Sequence, residues 1–376
     1  MRFLHLADLH LGKKINDYSL KDDQRHALLQ ALDLAKKEKV DAVIVAGDVY
    51  DSSLPTAEAT EFYDWFLTSF HALGVPLLMI SGNHDSPERL AVGSSLLKAA
   101  NVHIVTKVED SLSPITINGV DFYLLPHFRP SEVNRAFGTD ARSFESAMKE
   151  VLSRIETQEG KPSVLITHQA ILPVGLTIES SGSETALDVD VNGAVGGSET
   201  IDVKLFERFT YLALGHIHKA QNVGKNARYP GALLKYHIKE ANAKRSFTVV
   251  DIEGTSFSIR EFPIQLIRDV VVLEGTLEEV LAMPGNEDNF VHVRLTDEEF
   301  VDSPFAKLKA RYPYCLGLEY PHAKPASADV VEFENVEEMD KAELFQKFFE
   351  QFGSGELDTQ QKELVKRLLD EAEGKA

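Results

Sequence analysis

Five short apolar runs that stop abruptly at polar residues constrain the fold of this chain more than any other feature of its sequence. The runs are Phe3–Ala7, Ala42–Ala46, Val75–Ile80, Val164–Thr167 and Tyr211–Leu214. Rich in leucine and β-branched residues, they are typical of strands buried on both faces. Between them, Lys21–Lys37 and Thr56–Leu73 carry apolar residues at helical spacing, as in Phe62, Phe66 and Phe70. The alternation predicts an α/β fold.

Side chains that bind metals well follow every one of these runs. They are two aspartates, one asparagine and four histidines: Asp8, His10, Asp48, Asn83, His168, His216 and His218. Strands of an α/β sheet bind ligands beyond their carboxyl ends, so these side chains are expected in one crevice. Two divalent ions held there would activate a water and clamp the oxygens of a phosphodiester. Because thiolates are absent and imidazoles are plentiful, the set suits manganese, iron or zinc better than calcium. Asp48, after a tight Gly47, is the predicted bridging carboxylate.

The sequence around these side chains resembles a known superfamily. The blocks are Asp8-Leu9-His10, Gly47-Asp48, Gly82-Asn83-His84-Asp85, Thr167-His168 and Gly215-His216-Ile217-His218. They resemble the five signature blocks of the calcineurin-like metallophosphoesterases. Within that superfamily, about the first 260 residues, including Tyr229-Pro230-Gly231, look like the SbcD family of bacterial nuclease subunits. The resemblance implies a four-layer sandwich in which helices flank two central mixed sheets.

The resemblance also implies a role for each matching residue. One metal would be held by Asp8, His10, Asp48 and His218, and the other by Asp48, Asn83, His168 and His216. His84 matches a catalytic histidine that is not a ligand and that stabilises the transition state or protonates the departing 3′ oxygen. Asp85 is a candidate to orient a neighbouring imidazole. Asp51 stands where archaeal and eukaryotic relatives have a histidine that contacts the substrate phosphate, and no such role is predicted for a carboxylate.

Three segments follow from the patterns along the chain. Residues 1–265 form the predicted phosphoesterase domain, in which the Gly/Ser-rich Ser180–Thr200 is a surface loop. A second α/β rhythm predicts a small capping domain over 266–330. Residues 331–376 carry two amphipathic helices, opened by Asp340 with Glu343 and by Asp358 with Gln361 in a capping-box pattern. Their apolar stripes predict docking onto a partner, although packing on the same chain remains the alternative: Leu344, Phe345, Phe348, Phe349, Phe352, Leu364, Val365, Leu368 and Leu369.

Family resemblance predicts a manganese-dependent DNA nuclease acting in DNA repair, recombination and replication. It would be a 3′→5′ exonuclease on duplex ends and an endonuclease on hairpins or single strands. The chain has no Gly-x-x-x-x-Gly-Lys loop, so ATP dependence would come from an SbcC-like coiled-coil ATPase partner. A formal charge of −20 opposes DNA binding at long range, so metals and partner surface would supply the attraction. The helices at Thr56–Leu73 and Leu90–Ala100 match the region through which the family forms homodimers.

The composition and the apolar runs bear on where the protein is located, and two alternative functions also fit the sequence. The lone Cys315 cannot form an internal disulfide, the first twelve residues lack a signal-peptide pattern, and no apolar run approaches the length of a membrane span. A cytoplasmic protein is expected. A phosphoesterase for small phosphodiesters or phosphomonoesters would use the same ligands. A non-catalytic interaction scaffold is the alternative from another class.

Overall fold

The computed structural model of the chain describes residues 1–173, 178–179, 194–195, 200–297, 301–321, 341–352 and 357–372. Over these residues the strands are β1 (Arg2–Leu6), β2 (Lys14–Ile15), β3 (Tyr18–Ser19), β4 (Ala42–Ala46), β5 (Leu77–Ile80), β6 (Val102–Val105), β7 (Ile115–Ile117), β8 (Val120–Leu125), β9 (Ser163–His168), β10 (Ile171–Leu172), β11 (Ile178–Glu179), β12 (Ala194–Val195), β13 (Ile201–Asp202), β14 (Tyr211–Gly215), β15 (Gln221–Val223), β16 (Ala227–Tyr229), β17 (Ser246–Glu253), β18 (Ser256–Pro263), β19 (Val270–Gly275), β20 (Phe290–Leu295) and β21 (Cys315–Glu319). All five predicted strands are confirmed. The third begins later than predicted, at Leu77, because Pro76 has no N–H to donate to a sheet.

The helices mostly lie between the strands; those predicted at Lys21–Lys37 and Thr56–Leu73 are present, whereas the helix predicted at Leu90–Ala100 is divided, because Gly93 has a φ of 74°. The helices are α1 (Lys21–Glu38), α2 (Ala57–His71), α3 (Pro87–Leu90), α4 (Ser94–Leu97), α5 (Pro130–Phe137), α6 (Phe144–Leu152), α7 (Leu277–Ala282), α8 (Pro304–Arg311), α9 (Lys341–Phe352) and α10 (Thr359–Ala372), with 3₁₀ turns at Lys98–Ala100, Val108–Ser111, Val203–Phe206 and Ile238–Glu240. Thr56 begins α2 by accepting the Ala59 N–H at 3.2 Å, as an N-cap threonine does. Among these helices of the described residues, none is both long and apolar enough to cross a bilayer.

Two six-stranded sheets form the centre of the fold. The first has the order β18-β17-β1-β4-β5-β6, in which β1, β4, β5 and β6 are parallel and β17 and β18 are antiparallel. The second has the order β15-β16-β14-β9-β8-β7, with four parallel strands between antiparallel outer strands. Both sheets are therefore mixed. In the second sheet Gly215 pairs with His168, so the last residues of β9 and β14 lie side by side.

Apolar side chains form three hydrophobic clusters, one between the two sheets and one on the outer face of each sheet. Phe3 of the first sheet meets Phe122 of the second edge to face, with ring centroids 5.6 Å apart. On the outer face of the first sheet, Leu28 of α1 and Phe66 of α2 join its core. The second sheet is covered by α5 and α6. The predicted four-layer sandwich is confirmed. Leu29 of α1, which helical spacing grouped with Leu28 and Leu32, is instead exposed.

The predicted second α/β rhythm is also present, as the three-stranded sheet β19-β20-β21 with α7 and α8. Its side chains Val270, Phe290 and Leu316 belong to the same hydrophobic cluster as α1 and the first sheet. An ion pair reinforces this junction, because Arg268 Nη2 lies 2.5 Å from Oδ2 of the buried Asp23. The small sheet is thus joined to the first sheet by a continuous core.

Two compact units are distinguished, Met1–Arg294 with Ser303–Leu318, and Leu295–Asp302 with Glu319–Ala376. The domain ranges 1–265, 266–330 and 331–376 stay predictions. The second unit contains α9 and α10. Before α10, Asp358 and Gln361 each accept the backbone N–H of the other, at 2.8 and 2.9 Å, so this predicted capping box is confirmed. Asp340 lies outside the described residues, as does most of the predicted loop Ser180–Thr200. The described part of that loop includes β12, which pairs with β11 just before the loop.

Candidate metal centre

All seven side chains predicted to bind metal lie together at the carboxyl ends of the central strands. Asp8 and His10 follow β1, Asp48 follows β4, Asn83 follows β5, His168 ends β9, and His216 and His218 follow β14. Hydrogen bonds join the two sheets at this point. His168 Nδ1 donates to the carbonyl of Ala46 at 2.8 Å, and the His216 N–H donates to Asp8 Oδ1 at 3.0 Å. The topology thus makes one site out of both sheets.

The backbone at this site is unusual. Asp8, His10, Asp48 and His216 have φ angles of 52°, 46°, 48° and 103°, in a region that side chains other than glycine rarely adopt. Such conformations persist when the surroundings hold them, and they concentrate at functional sites. Here the loop after β1 is hydrogen bonded to the loop after β4, since the N–H groups of Asp8 and His10 donate to the carbonyls of Gly47 and Asp48 at 3.1 and 3.0 Å.

Two glycines allow the loops to approach this closely. A Cβ atom on Gly82 would lie 2.1 Å from Asp48 Oδ1, and one on Gly215 would lie 1.8 Å from the carbonyl oxygen of Ala46. Neither distance is possible for a carbon atom. The Gly82-Asn83 and Gly215-His216 blocks therefore need glycine at these positions, because Asp48 and the carbonyl of Ala46 occupy the space of a side chain.

Asp48 occupies the centre of the cluster. Its Oδ2 lies 3.4 Å from His168 Nε2, 3.6 Å from His10 Nε2 and 3.9 Å from His84 Nε2. Burial favours the protonated carboxyl, but the charges and hydrogen bond of the surrounding histidines outweigh it and hold the pKa of Asp48 well below its usual range. An ionised carboxylate surrounded by ligands from both sheets suits the predicted bridging role.

The donor set fits a cation. Because His168 Nδ1 donates a hydrogen bond to the carbonyl of Ala46, Nε2 is the ring nitrogen directed into the site, 3.0 Å from Asn83 Oδ1. The same amide oxygen lies 3.0 Å from His216 Nδ1. Burial lowers the pKa of His168, but Asp48 and Asp8 more than compensate and raise it to about 9. Several lone pairs thus converge on a point where a positive charge is favoured.

A second group of donors lies next to the first. Nε2 of His10 and Nε2 of His218 are 3.1 Å apart, and Asp8 joins them in a group whose ligand atoms all lie within 4.8 Å of one another. Asp8, Asp48 and His168 form another such group. Burial raises the pKa of Asp8 to about 6 against the opposing charges of His168 and His218. Adjacent groups that share aspartates are the arrangement expected of a dinuclear centre.

Comparison with known proteins agrees with this geometry. A family model for calcineurin-like phosphoesterases matches residues 1–220. The chain belongs to the calcineurin-like phosphoesterase family. A second family model, described as the type 5 capsule protein repressor C-terminal domain, matches residues 267–352. Because members of the family hydrolyse phosphoesters with divalent metals, this phosphoesterase is a metal-dependent phosphodiester hydrolase.

Curated relatives place the phosphoesterase more closely. The SbcD subunit of the SbcCD nuclease from Staphylococcus epidermidis is 31% identical, with 98% of each chain covered. Its namesake in Staphylococcus saprophyticus is 28% identical over the same shares. The chain therefore belongs to the SbcD family. Two solved structures are also similar. The protein TT1561 of Thermus thermophilus is 14% identical, has a TM-score of 0.39, and covers 69% of this chain and 98% of its own. A dimetal phosphatase from Danio rerio is 12% identical, with a TM-score of 0.38 and coverages of 70% and 99%.

His84, the predicted catalytic histidine of this phosphoesterase, lies beside the ligands but is more open than they are. Its side chain is 17% exposed, whereas that of His10 is 1% exposed. The main chain orients the ring, because Nδ1 donates to the carbonyl of Asp51 at 2.9 Å while the His84 N–H donates to Asp48 Oδ1 at 2.9 Å. Its Nε2 thereby faces Asp48, with Oδ2 at 3.9 Å.

The prediction that Asp85 orients an imidazole is wrong. Its carboxylate instead accepts the N–H groups of Val49, Tyr50 and Gly82 at 3.1, 2.8 and 2.9 Å. It therefore fixes the two loops that carry Asp48 and Asn83 to one another. The side chain of Asp51 lies 2.7 Å from Lys13 Nζ and 3.4 Å from His10 Nδ1. Asp51 thus neutralises Lys13 at the rim of the site.

Three residues that contact the site, Gln24, Tyr236 and Glu240, were not predicted from the sequence. Glu240 approaches His218, and Gln24 donates to the carbonyls of Leu9 and His10 at 2.9 and 2.7 Å. Tyr236 donates to the Leu9 carbonyl at 2.8 Å and packs its ring edge to face on His10. None of these lies in a strand-end block, so the rule that found the ligands passes over them. No periodic pattern of the sequence predicts that Glu240 is buried, so the sequence carries no signal for its place beside His218.

Proposed function

We propose that this chain is a dinuclear-metal DNA nuclease of the SbcCD type. It would act as a 3′→5′ exonuclease on duplex ends and as an endonuclease on hairpins and single strands. The observation that carries the proposal is the convergence of seven oxygen and imidazole ligands from five strand ends around Asp48. The names of the curated relatives support DNA as the substrate.

One ion would be held by Asp8, His10, Asp48 and His218, and the other by Asp48, Asn83, His168 and His216. The imidazoles favour manganese over magnesium, which prefers oxygen ligands. Bound there, the ions would supply a nucleophilic water and neutralise the charge of the phosphodiester. His84 would donate a proton to the departing 3′ oxygen or a hydrogen bond to the transition state from Nε2. Asp51 would keep His84 oriented through its carbonyl and hold Lys13 neutralised.

The helices α9 and α10 would dock onto an SbcC-like coiled-coil ATPase that gates access to DNA. Support comes from their apolar side chains, because Phe345, Leu364 and Leu368 are 42%, 44% and 52% exposed. A partner that covers these residues removes apolar surface from water. The chain's net charge of −20 supports the same division of labour, since basic surface for DNA then comes from the partner.

A homodimer through the Thr56–Leu73 and Leu90–Ala100 regions is part of the proposal. The aromatic residues of Thr56–Leu73 largely pack within the chain: Phe62, Phe66 and Phe70 are buried, and Trp65 stacks on Phe62. Exposed apolar residues within or next to these ranges in sequence give better support. Val92 and Leu96 are 76% and 81% exposed, and Leu54 is also exposed. A second copy of the chain would cover such side chains.

Hydrolysis of two substrates tests the proposal. The purified chain, alone and with the coiled-coil ATPase of the same organism, is assayed on a labelled DNA hairpin and on bis-p-nitrophenyl phosphate. EDTA should abolish both activities, and manganese should restore them better than magnesium. Activity on the small diester alone, even with the partner, would favour the small-molecule alternative. Absence of both metal binding and hydrolysis would favour the scaffold, and full recovery with magnesium alone would contradict the metal assignment.

A further inference from the structure

A buried carboxylate stands behind one of the histidine ligands. Glu240, the last residue of the Ile238–Glu240 turn, is 2% exposed, and its Oε1 lies 3.3 Å from Nδ1 of His218. The opposite edge of the same ring faces the site, where Nε2 lies 3.1 Å from Nε2 of His10. His218 therefore lies between a carboxylate on one side and the ligand cluster on the other.

The carboxylate itself is held in place by two donors. Oε2 of Glu240 accepts from Arg245 Nη2 and from the Tyr236 N–H, both at 2.6 Å. Arg245 also donates from Nη1 to the carbonyl of His218 at 2.5 Å, so one guanidinium fixes both the carboxylate and the main chain of the ligand. Because Oε2 is engaged in this way, Oε1 is the oxygen presented to the imidazole.

The charges and donors of this arrangement determine which ring nitrogen carries the proton. A carboxylate accepts hydrogen bonds and cannot donate them, so Nδ1 of His218 must carry the hydrogen. The lone pair of Nε2 then faces His10 and Asp8, as a metal ligand requires. We propose that Glu240 is a positioning residue that sets the tautomer and orientation of His218 for metal binding, with Arg245 holding the carboxylate in place. This inference rests on the dinuclear centre of the proposed function.

The two halves of the centre differ in this respect. His168 is oriented by a backbone carbonyl, that of Ala46, which no side-chain substitution removes. His218 depends on a side chain. Loss of Glu240 should therefore weaken the ion held by Asp8, His10, Asp48 and His218, and leave the ion on the Asn83 side bound nearly as before. Partners of metal-bound histidines typically contribute about 10–100-fold in affinity.

The two donors on Oε2 make the Glu240→Gln variant informative. A glutamine must place its oxygen where Arg245 and Tyr236 donate, which turns its NH₂ group toward Nδ1 of His218. The imidazole then accepts at Nδ1 and carries its hydrogen on Nε2, the wrong side for a metal. Glu240→Ala imposes no tautomer. The near-isosteric glutamine should thus disturb metal binding at least as much as alanine, although it disturbs the packing less.

Calorimetric titration of EDTA-treated full-length protein with manganese measures both sites. Wild type should bind two ions, and Glu240→Gln should lose about 10–100-fold at one site only. Glu38→Gln is the matched control, because Glu38 is also paired with an arginine, Arg260 at 2.6 Å, but lies beside Arg2 at the far end of β1. It should bind manganese like wild type. A merely structural role would instead lower the melting temperature and leave the two affinities in their original ratio.

Nitrogen-15 spectra of histidine-labelled, metal-free protein report the tautomer, with His218→Gln to assign the signal. Wild type should carry hydrogen on Nδ1 of His218, and Glu240→Gln should carry it on Nε2. The wild-type spectrum decides the matter if the variant fails to fold, and hydrogen on Nε2 alone in wild type overturns the inference. Unaltered manganese binding by Glu240→Gln overturns it as well. If wild type binds two ions but does not cleave DNA, the nuclease proposal is contradicted and the inference about Glu240 is not affected.

Discussion

The proposed ligands of the metal centre include residues in a backbone conformation that most side chains avoid. Aspartate and histidine are enriched among the side chains that tolerate the left-handed region, and four of the seven ligands lie there. Each such residue costs about 1–3 kcal/mol. The cost is offset by hydrogen bonds that hold these loops: Asp85 accepts from the Val49 N–H, and Gln24 and Tyr236 donate to the Leu9 carbonyl. Preorganisation of the ligands therefore depends on residues that bind no metal themselves.

The bridging aspartate and the predicted catalytic histidine should respond differently to substitution. Asp48→Ala should lose manganese binding together with activity, because Asp48 is shared by both proposed ions. His84→Gln should retain both ions and lose about 10²–10⁴ in the rate of diester hydrolysis, since only its proton or hydrogen bond is removed. Manganese titration together with steady-state hydrolysis of the small diester measures both effects. If His84→Gln binds far fewer ions than wild type, His84 is a ligand and its assigned role is incorrect.

A buried histidine outside the metal centre should make folding sensitive to acid. His5 is completely buried between the sheets, where Nδ1 lies 3.1 Å from the hydroxyl of Tyr211 and Nε2 lies 3.2 Å from the carbonyl of Leu214. Burial, aided by the charge of Arg228, lowers the pKa of His5 to about 3. Below pH 6.5 the unfolded chain takes up a proton that the folded chain excludes, so stability falls as the pH falls from 6.5 toward 3.

The His5→Gln variant isolates this contribution. Between pH 6.5 and pH 5.0, the free energy of unfolding of wild type should fall by about 1.5 kcal/mol more than that of the variant, in metal-free protein. Urea unfolding at the two pH values measures the difference. Glutamine alters the packing equally at both, so only the change with pH is informative. Equal changes in both proteins would mean that His5 is protonated in the folded state.

At the scale of the elements, local sequence patterns predicted the structure correctly where residues adjacent in sequence determine it. The Asp358–Gln361 capping box and the bounds of β4 follow from adjacent residues, and the ligands follow from the rule that strand ends share a crevice. Contacts between distant loops were not predictable. Asp85 serves backbone N–H groups rather than an imidazole, and Glu240 reaches His218 across a 22-residue separation, because tertiary packing alone sets those distances.

The stripe on α9 should be needed for docking and not for catalysis. Phe345→Glu with Phe349→Glu puts two charges into the proposed contact, where burying one such phenylalanine contributes about 1.5–3 kcal/mol. This variant should hydrolyse the small diester like wild type, fail to co-purify with the coiled-coil ATPase, and lose ATP-stimulated cleavage of DNA ends. Gln346→Glu with Gln360→Glu adds the same charge off the stripe and should dock normally. Retention of the ATPase by the phenylalanine variant would exclude docking through this stripe.

At the scale of the whole molecule, the net charge bears on DNA binding, whereas the hydrophobic core determines which parts of the chain are stable together. A net charge of −20 opposes the approach of a phosphodiester at long range, so under the proposed function DNA affinity would be supplied largely from outside the chain. The hydrophobic core, in contrast, ties the small sheet to the first sheet through Val270, Phe290 and Leu316. Under the proposed function, catalytic competence and DNA affinity would therefore be separable, whereas the small sheet and the first sheet share one core.

Two truncations should separate these parts. Ending the chain after Gln265 removes three buried side chains of the first core, each contributing about 1.5–3 kcal/mol, and leaves the buried Asp23 without Arg268. That protein should melt at a much lower temperature or be insoluble. Ending after Asp340 removes α9 and α10, whose Phe345, Leu364 and Leu368 are already exposed, and the melting temperature should change by only a few degrees.

Thermal melting followed by circular dichroism, with manganese titration of each soluble protein, distinguishes the outcomes. Arg268→Met is the point version of the first truncation, because it removes the guanidinium that faces Asp23 and lies over the Tyr314 ring while the small sheet stays in place. It should destabilise the whole cooperative transition by about 3–5 kcal/mol, because an unpaired buried carboxylate is left in the core that supports the metal loops. A chain ending at Gln265 that melts cooperatively near the full-length temperature and binds two manganese ions would instead make the small sheet an independent domain, because a shared core cannot be halved without loss of stability.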